Sequence, residues 1–307
     1  MKKGVNQLNV EENDDLKKLI DNMAETGFGA KRLGKACKIY EKMVKHENCV
    51  KFFALAGAMV PVGMQKIVHD MVELGFIDVL VTTGANLTHD VAECLGFRHL
   101  QGNTAKQDKG DAELYDERMN RIYDVFMPNE VYESMEDFIN EKIGEFETDM
   151  PLKNFLWLLG KRLPDYPHSI LKICAEKQVP ILCPAFTDSG LAMQLNFSKR
   201  NLNLNHFADL NDMINMAWDA KTAGVCIVGG GVPKNYIFQA MQFSPNQARY
   251  AIQITMDRPE PGGLSGAEIR EAISWGKVNK NAEYSTLIAD ATIALPLLLS
   301  YLKTTCR

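Results

Sequence analysis

No run of eighteen apolar residues occurs in this 307-residue chain, so its sequence holds no segment long enough to cross a membrane as a helix. No Cys-x-x-Cys pair occurs either. The seven cysteines (37, 49, 94, 174, 183, 226 and 306) are odd in number and scattered. That excludes a zinc-ribbon framework and argues against a disulfide scaffold. Several cysteines sit in apolar runs such as Ile181-Leu182-Cys183 and Val225-Cys226-Ile227, and read as small buried hydrophobes of a reducing, cytoplasmic compartment. His89, Cys94 and His99 are close in sequence but fit no ligand spacing, so no metal is expected. An arginine-rich tract is also missing, and the net charge is −5, which disfavours nucleic acid as a partner. The N-terminal MKKGVNQLNVEENDD has no apolar stretch behind its lysines and is not a secretory signal. The dinucleotide fingerprint is incomplete. In Gly229-Gly230-Gly231-Val232-Pro233-Lys234 the last glycine is replaced by Lys234, and Arg249 stands where an acidic residue belongs, so any NAD would be held by a variant arrangement.

What remains is ordinary globular composition, 46% hydrophobic and 24% charged. Residues 1–13 read as frayed. Residues 14–47 have helical periodicity, broken at Thr26-Gly27-Phe28-Gly29, and form an N-terminal helical extension (1–47). From residue 50 short β-rich apolar runs alternate with helical stretches, the pattern of βαβ units and a parallel sheet. Strands are expected at 50–55, 77–81, 179–182, 224–228, 249–255 and 286–290, with a helix through the 290s. Residues 101–150 read as an insertion, a polar loop at 101–114 followed by helical pieces around Pro128. The expected architecture is α/β, a Rossmann-like parallel sheet flanked by helices, in a single domain over 1–307.

Nearly every expected strand ends in Gly, Ala, Thr or Asp. Ligands of open α/β sheets bind at these carboxyl ends, where small residues admit them to the backbone and helix N-termini favour phosphate. The commoner meaning of any one such end is an ordinary βα turn; several together point to a nucleotide-like ligand.

The segment Ser265-Gly266-Ala267-Glu268 through Lys277 reads as one short helix with both ends marked. Ser265 and Glu268 have capping-box spacing, and Gly276 suits the left-handed turn that ends a helix. Lys277 follows that turn beside Trp275. An amine delivered at a fixed point against an aromatic wall can be desolvated, and a desolvated lysine becomes a nucleophile. A surface lysine near a helix C-terminus is the plainer alternative. Glu271, one turn before Trp275, is placed to pair with a substrate amine or to be an exposed helix carboxylate.

Taken in order, several motifs resemble the deoxyhypusine synthase family over about residues 15–303. They are Thr26-Gly27-Phe28, Asp78-Val79-Leu80-Val81-Thr82-Thr83, Asn120-Arg121-Ile122 with Pro128-Asn129-Glu130, and Pro184-Ala185 with Thr187-Asp188. Gly229-Gly230-Gly231-Val232, Glu271-Ala272 with Ser274-Trp275-Gly276-Lys277, and Ala289-Asp290-Ala291 complete the series. The resemblance implies an NAD-dependent homotetramer that oxidises spermidine, cleaves it to release 1,3-diaminopropane and carries the butylamine fragment as an imine on a lysine, here Lys277. That fragment passes to a lysine of the initiation factor 5A precursor and is reduced. The resemblance further implies Thr82, Thr83, Gly84, Asp188, Gly229, Gly230, Gly231, Ala289 and Asp290 as NAD-binding, and Glu271, Trp275 and Asn235 as substrate-binding.

The chain departs from the family around the substrate amines. Asn235 stands where eukaryotic members carry a histidine thought to shuttle protons, and Met193, Leu264, Thr88 and His89 replace acidic residues. Desolvated ammonium groups need carboxylates. Either the pocket rebuilds its acidity from Asp257, Glu260, Glu268, Glu271 and Asp90, or the donor or acceptor has changed. Three readings stay open: deoxyhypusine synthase, a homospermidine synthase-like aminobutyltransferase with putrescine as acceptor, and a non-catalytic NAD-binding relative.

Overall fold

A computed structural model describes residues 4–12, 14–102 and 110–306. The chain divides into two compact units. Unit 1 comprises residues 1–56, 74–81 and 210–307; unit 2 comprises 57–73 and 82–209.

Unit 1 is built on a parallel sheet. Its strands are β1 (Cys49–Leu55), β2 (Val79–Thr82, all but its last residue in this unit), β3 (Thr222–Val228), β4 (Ala248–Thr255) and β5 (Val278–Ile288). They lie in the order β5-β4-β3-β1-β2. The β1–β3, β3–β4 and β4–β5 pairings are parallel. The interior strands are almost wholly buried, which explains why they read as continuous apolar runs rather than alternating ones. Register aligns their carboxyl ends: Leu55 pairs with Val228, Val228 with Ile254, and Thr255 with Ile288. The turns that follow therefore emerge at one edge. The expected helical extension forms Leu16–Ala24 and Phe28–Lys45. The second helix buries Leu33, Ala36, Cys37, Ile39, Tyr40 and Met43, the three-and-four spacing of one face, and the Tyr40 hydroxyl donates to the Phe76 carbonyl at 2.9 Å.

The last strand is longer than its expected span, 286–290. It starts directly after Lys277. Its register against β4 shifts, with Val278 opposite Ala248 but Glu283 opposite Tyr250. That irregularity and the polar run Asn279-Lys280-Asn281 at a sheet edge hide the strand from a period-two reading.

Unit 2 is mainly helical: Gln65–Glu73, Gly84–Cys94, Glu130–Lys142, Leu152–Arg162, Ile170–Lys177 and Gly190–Phe197. The strand expected at 179–182 is only Ile181–Leu182. Of the polar loop expected at 101–114, residues 103–109 lie outside the described residues, and Asp111–Asp116 is a helix. Where helical pieces were expected before Pro128, Met119–Ile122 and Val125–Pro128 form an antiparallel hairpin, joined by Leu100–Gln101 into a three-stranded sheet. Both hairpin strands are four residues long, too short to show a period, and Tyr123 turns the chain at φ 55.

Candidate active site

The helix before Lys277 is shorter than its sequence suggests. It runs Ile269–Ser274, and Glu268 occupies the N-cap position without a side-chain cap bond. Ser265 does not cap it; its hydroxyl is hydrogen-bonded to the Asp257 carboxylate, and Glu268 pairs with Arg270 instead. Gly266-Ala267 form a turn in between, so the capping-box spacing is present but the backbone is not yet helical there. The C-terminal reading holds in detail. Gly276 has φ +68, its N–H donates to Ile273 O, and the Lys277 N–H reaches back to Ala272 O, both at 3.0 Å. This is the Schellman pattern of bonds, and a side chain at Gly276 would strain it. The turn aims Lys277 at a fixed point before β5 carries the chain away.

The Lys277 ammonium position lies 5.1 Å from the centre of the Trp275 ring. Lys277 is half-buried, and burial lowers its pKa below the ordinary lysine value while Glu271 pulls it back up. Trp275 is 58% exposed, so it forms one wall, not an enclosure. Lys277, Trp275, Glu271 and Asn235 line one cavity of about 270 Å³, together with Lys234 and Leu264. Four residues singled out in the sequence thus meet in one place.

Lys234 was missed as a site residue; in the sequence it only spoiled a glycine pattern. It is 5% exposed. Its Nζ donates to Gln253 Oε1 at 3.2 Å, to Leu264 O at 3.0 Å, and to Ala267 O. Gln253 is fully buried and donates from Nε2 to Gly229 O (3.0 Å) and Ser265 O (2.9 Å). The network ties the triple-glycine turn to the 264–267 segment. Gly230 permits it: a Cβ there would lie 2.4 Å from Ser265 Cα. Burial brings the Lys234 pKa down to about 8; Glu271 opposes this and Lys277 adds to it. Its standing as the only charged residue of the helix Gly231–Met241 is the one signal that could have drawn attention to it.

Of the acids proposed to restore pocket acidity, Glu268 and Glu271 line the cavity. Glu260 is exposed, and Asp257 is engaged by Ser265. Asp90 is not available for this role: it is wholly buried in unit 2, accepting from Gln65, Ser169, Ile170 and Leu171.

The residues expected to hold a dinucleotide fall in two sets. In unit 1 the Gly229 N–H bonds to Ile254 O and the Ala289 N–H to Thr255 O, so both turns leave the aligned strand ends. Gly231 opens the helix Gly231–Met241 with free space beside its Cα. The Asp290 carboxylate caps the helix Ala291–Thr305 by accepting from the Thr292 N–H at 2.8 Å. In unit 2 Thr83 caps the helix Gly84–Cys94, and Thr82 is buried. A Cβ on Gly84 would lie 2.5 Å from Ser189 Cβ, which places the exposed Asp188 nearby. Each set combines a helix N-terminus with small residues, a donor arrangement that fits phosphate groups.

A profile of the deoxyhypusine synthase family matches residues 18–302. The chain is 44% identical over 295 residues to a Methanosarcina acetivorans protein named "Probable deoxyhypusine synthase 1", covering 95% of this chain and 92% of that one. It is 44% identical over 288 residues to "Probable deoxyhypusine synthase 1" of Archaeoglobus fulgidus, covering 94% of each. A crystal structure of a candidate deoxyhypusine synthase from Entamoeba histolytica superposes with a TM-score of 0.63 at 18% identity, over 94% of this chain and 93% of that one.

Proposed function

The chain belongs to the deoxyhypusine synthase family, and on that premise we propose that it transfers the 4-aminobutyl group of spermidine to a lysine of the initiation factor 5A precursor. The carrying observation is Lys277, half-buried against Trp275 in a cavity that also holds Glu271. Bound NAD would supply the oxidation and the closing reduction by taking up and returning a hydride. The rest falls to the chain's own residues. A neutral Lys277 amine attacks the imine carbon of the oxidised substrate; the carbon–nitrogen bond to 1,3-diaminopropane breaks, and that amine leaves with a proton. The fragment is then an imine on Lys277 until the acceptor lysine's neutral amine displaces it and regenerates Lys277. Burial favours the neutral amine that the first step requires.

Glu271 pairs with the substrate's free ammonium, the Trp275 ring stabilises that cation by about 0.5–1 kcal/mol at so exposed a site, and Asn235 hydrogen-bonds the amine chain. Asn235 cannot exchange protons as an imidazole would. The two sets at helix N-termini are proposed as the NAD-binding residues: Gly229, Gly230, Gly231, Ala289 and Asp290 in unit 1, and Thr82, Thr83, Gly84 and Asp188 in unit 2. We read residues 1–307 as a single catalytic module, working in the cytoplasm as a homotetramer.

The purified protein, given NAD and labelled spermidine, is expected to release 1,3-diaminopropane and to label the factor 5A precursor. Label appearing instead on putrescine would favour the homospermidine synthase-like reading; release of nothing would favour a non-catalytic relative.

A further inference from the structure

The cavity beside Trp275 holds two amines, and they are not equivalent. Lys277 has the ring of Trp275 as its neighbour, and among the described residues its Nζ has no hydrogen-bond acceptor. Lys234 is the opposite case. An ammonium group has three protons to donate, and Lys234 Nζ has three oxygens placed to receive them: Gln253 Oε1, Leu264 O and Ala267 O. The Gln253 orientation is not arbitrary. Its amide nitrogen must face the carbonyls of Gly229 and Ser265, so its oxygen must face Lys234. All three acceptors are neutral. The charge is thus held in place without being cancelled by a carboxylate partner.

We propose that Lys234 is a positioning residue for Lys277, a buried amine held in its protonated form by three oxygens, whose field keeps the neighbouring Lys277 amine free of its proton. This rests on the reading of Lys277 as the covalent lysine and deepens it.

Two like charges in one cavity disfavour each other, so the pair sheds a proton more easily than either amine alone. Hydrogen bonding decides which amine gives it up. Deprotonating Lys234 would leave at least one of its three oxygens without a donor, which is costly for the buried Gln253 Oε1 in particular. Deprotonating Lys277 breaks no hydrogen bond; it loses a cation–π contact and the attraction of Glu271, which acts on Lys234 as well. Burial and the N-terminus of its own helix both work against charge on Lys234, yet a pKa near 8 still leaves it mostly protonated at neutral pH. The other charged groups lining the cavity are Glu268 and Glu271. Glu271 favours the protonated form of both lysines, and a positive charge on Lys234 acts against that pull at Lys277. Gln253 from β4 and Asn235 from the helix Gly231–Met241 carry no charge.

The arrangement also answers a chemical need. Burial already favours the neutral Lys277 amine against the pull of Glu271. A second cation beside it pushes in the same direction, a recognised way of activating a nucleophilic lysine.

Trace labelling with acetic anhydride between about pH 6 and pH 11, followed by peptide mass spectrometry, reads the titration of each lysine without NAD or spermidine. In the unaltered protein Lys277 is expected to become reactive at lower pH than Lys234; the reverse order would overturn the proposal. In Lys234→Gln, which removes the charge, the Lys277 midpoint is expected to rise by about one unit, a tenfold loss of neutral amine at a given pH. An unmoved midpoint would overturn it. Lys234→Arg restores a charge that cannot be titrated away and is expected to keep the Lys277 midpoint within about 0.3 unit of the original. A rise matching that in Lys234→Gln would show a structural role only and overturn the proposal. Should Lys234→Gln fail to fold, the order of titration and the arginine variant still decide. Because no substrate is present, this test can fail while Lys277→Ala still abolishes aminobutyl transfer, or succeed while transfer is absent.

Discussion

Asp90 in unit 2 and Lys234 in unit 1 are both charged residues taken almost wholly out of water, and they serve different ends. Asp90 has four donors: Gln65 Nε2 at 2.5 Å, Ser169 Oγ at 2.8 Å, and the Ile170 and Leu171 N–H groups at 2.8 and 2.9 Å. The last two belong to the first turn of the helix Ile170–Lys177, so the carboxylate fastens that helix to Gly84–Cys94. Burial raises its pKa, and those four bonds oppose the rise. None of these four donors carries a charge. Lys234 is equally saturated with hydrogen bonds, but a cavity and a second amine lie beside it. A buried charge, then, marks structure by default. It marks chemistry where its field reaches another titratable group that a ligand can touch.

That contrast can be broken from either side. The largest effect is expected from Lys277→Ala, which should lower aminobutyl transfer by more than about a thousandfold with little change in stability. Transfer near the original rate would remove Lys277 from the covalent role. On the other side, Asp90→Ala should cost about 3–5 kcal/mol in denaturant unfolding by stranding buried donors, while leaving the Lys277 titration where it was. A stability loss under about 1 kcal/mol would sink the structural assignment.

Acid should find unit 2 as well. His89 Nδ1 and His99 Nε2 are 2.8 Å apart, and His99 Nδ1 lies 2.6 Å from Glu93. Burial, then repulsion from His99, lowers the His89 pKa to about 4. Burial alone would raise that of Glu93, but hydrogen bonds from His99 and Arg98 outweigh it and bring it to about 2. Both folded values lie below the unfolded ones, so both contributions are present at neutral pH and lost on acidification. Stability should fall first between about pH 6.5 and 4 and again between about pH 4.3 and 2, by about 1–3 kcal/mol each. His89→Asn should flatten the first step; an unchanged profile would count against this assignment.

Smaller effects sharpen the pocket side. Glu271→Gln should weaken spermidine binding about tenfold and leave NAD affinity unchanged, as equilibrium titration with each ligand would show. Equal losses for both ligands would place Glu271 elsewhere. Gly276→Ala, forcing a Cβ into φ +68, should cost about 1 kcal/mol of stability. It should also lower the turnover rate more than spermidine affinity, because it moves the amine rather than the pocket.

Much of this was legible in sequence, and the exceptions have physical causes. The helical extension, the buried strands and the glycine that aims Lys277 are local patterns: periodicity, apolar runs, and one residue suited to a left-handed turn. The small residues at strand ends met at one sheet edge because parallel register aligns those ends. Ser265 looked like a helix cap because spacing cannot tell whether the backbone between Ser265 and Glu268 is already helical; a competing carboxylate, Asp257, claimed the hydroxyl. β5 was cut short because a register shift erases alternation. The ammonium site of Lys234 was beyond reach, since two of its acceptors are backbone carbonyls some thirty residues away, and carbonyls carry no side-chain identity.

The most direct test of the account traps its covalent step. The protein is mixed with NAD and labelled spermidine, treated with borohydride and digested, and the label is located by mass spectrometry. One aminobutyl group on the peptide containing Lys277, absent from Lys277→Ala, is the result expected. Label on any other lysine, or none while 1,3-diaminopropane and labelled acceptor still form, would contradict it.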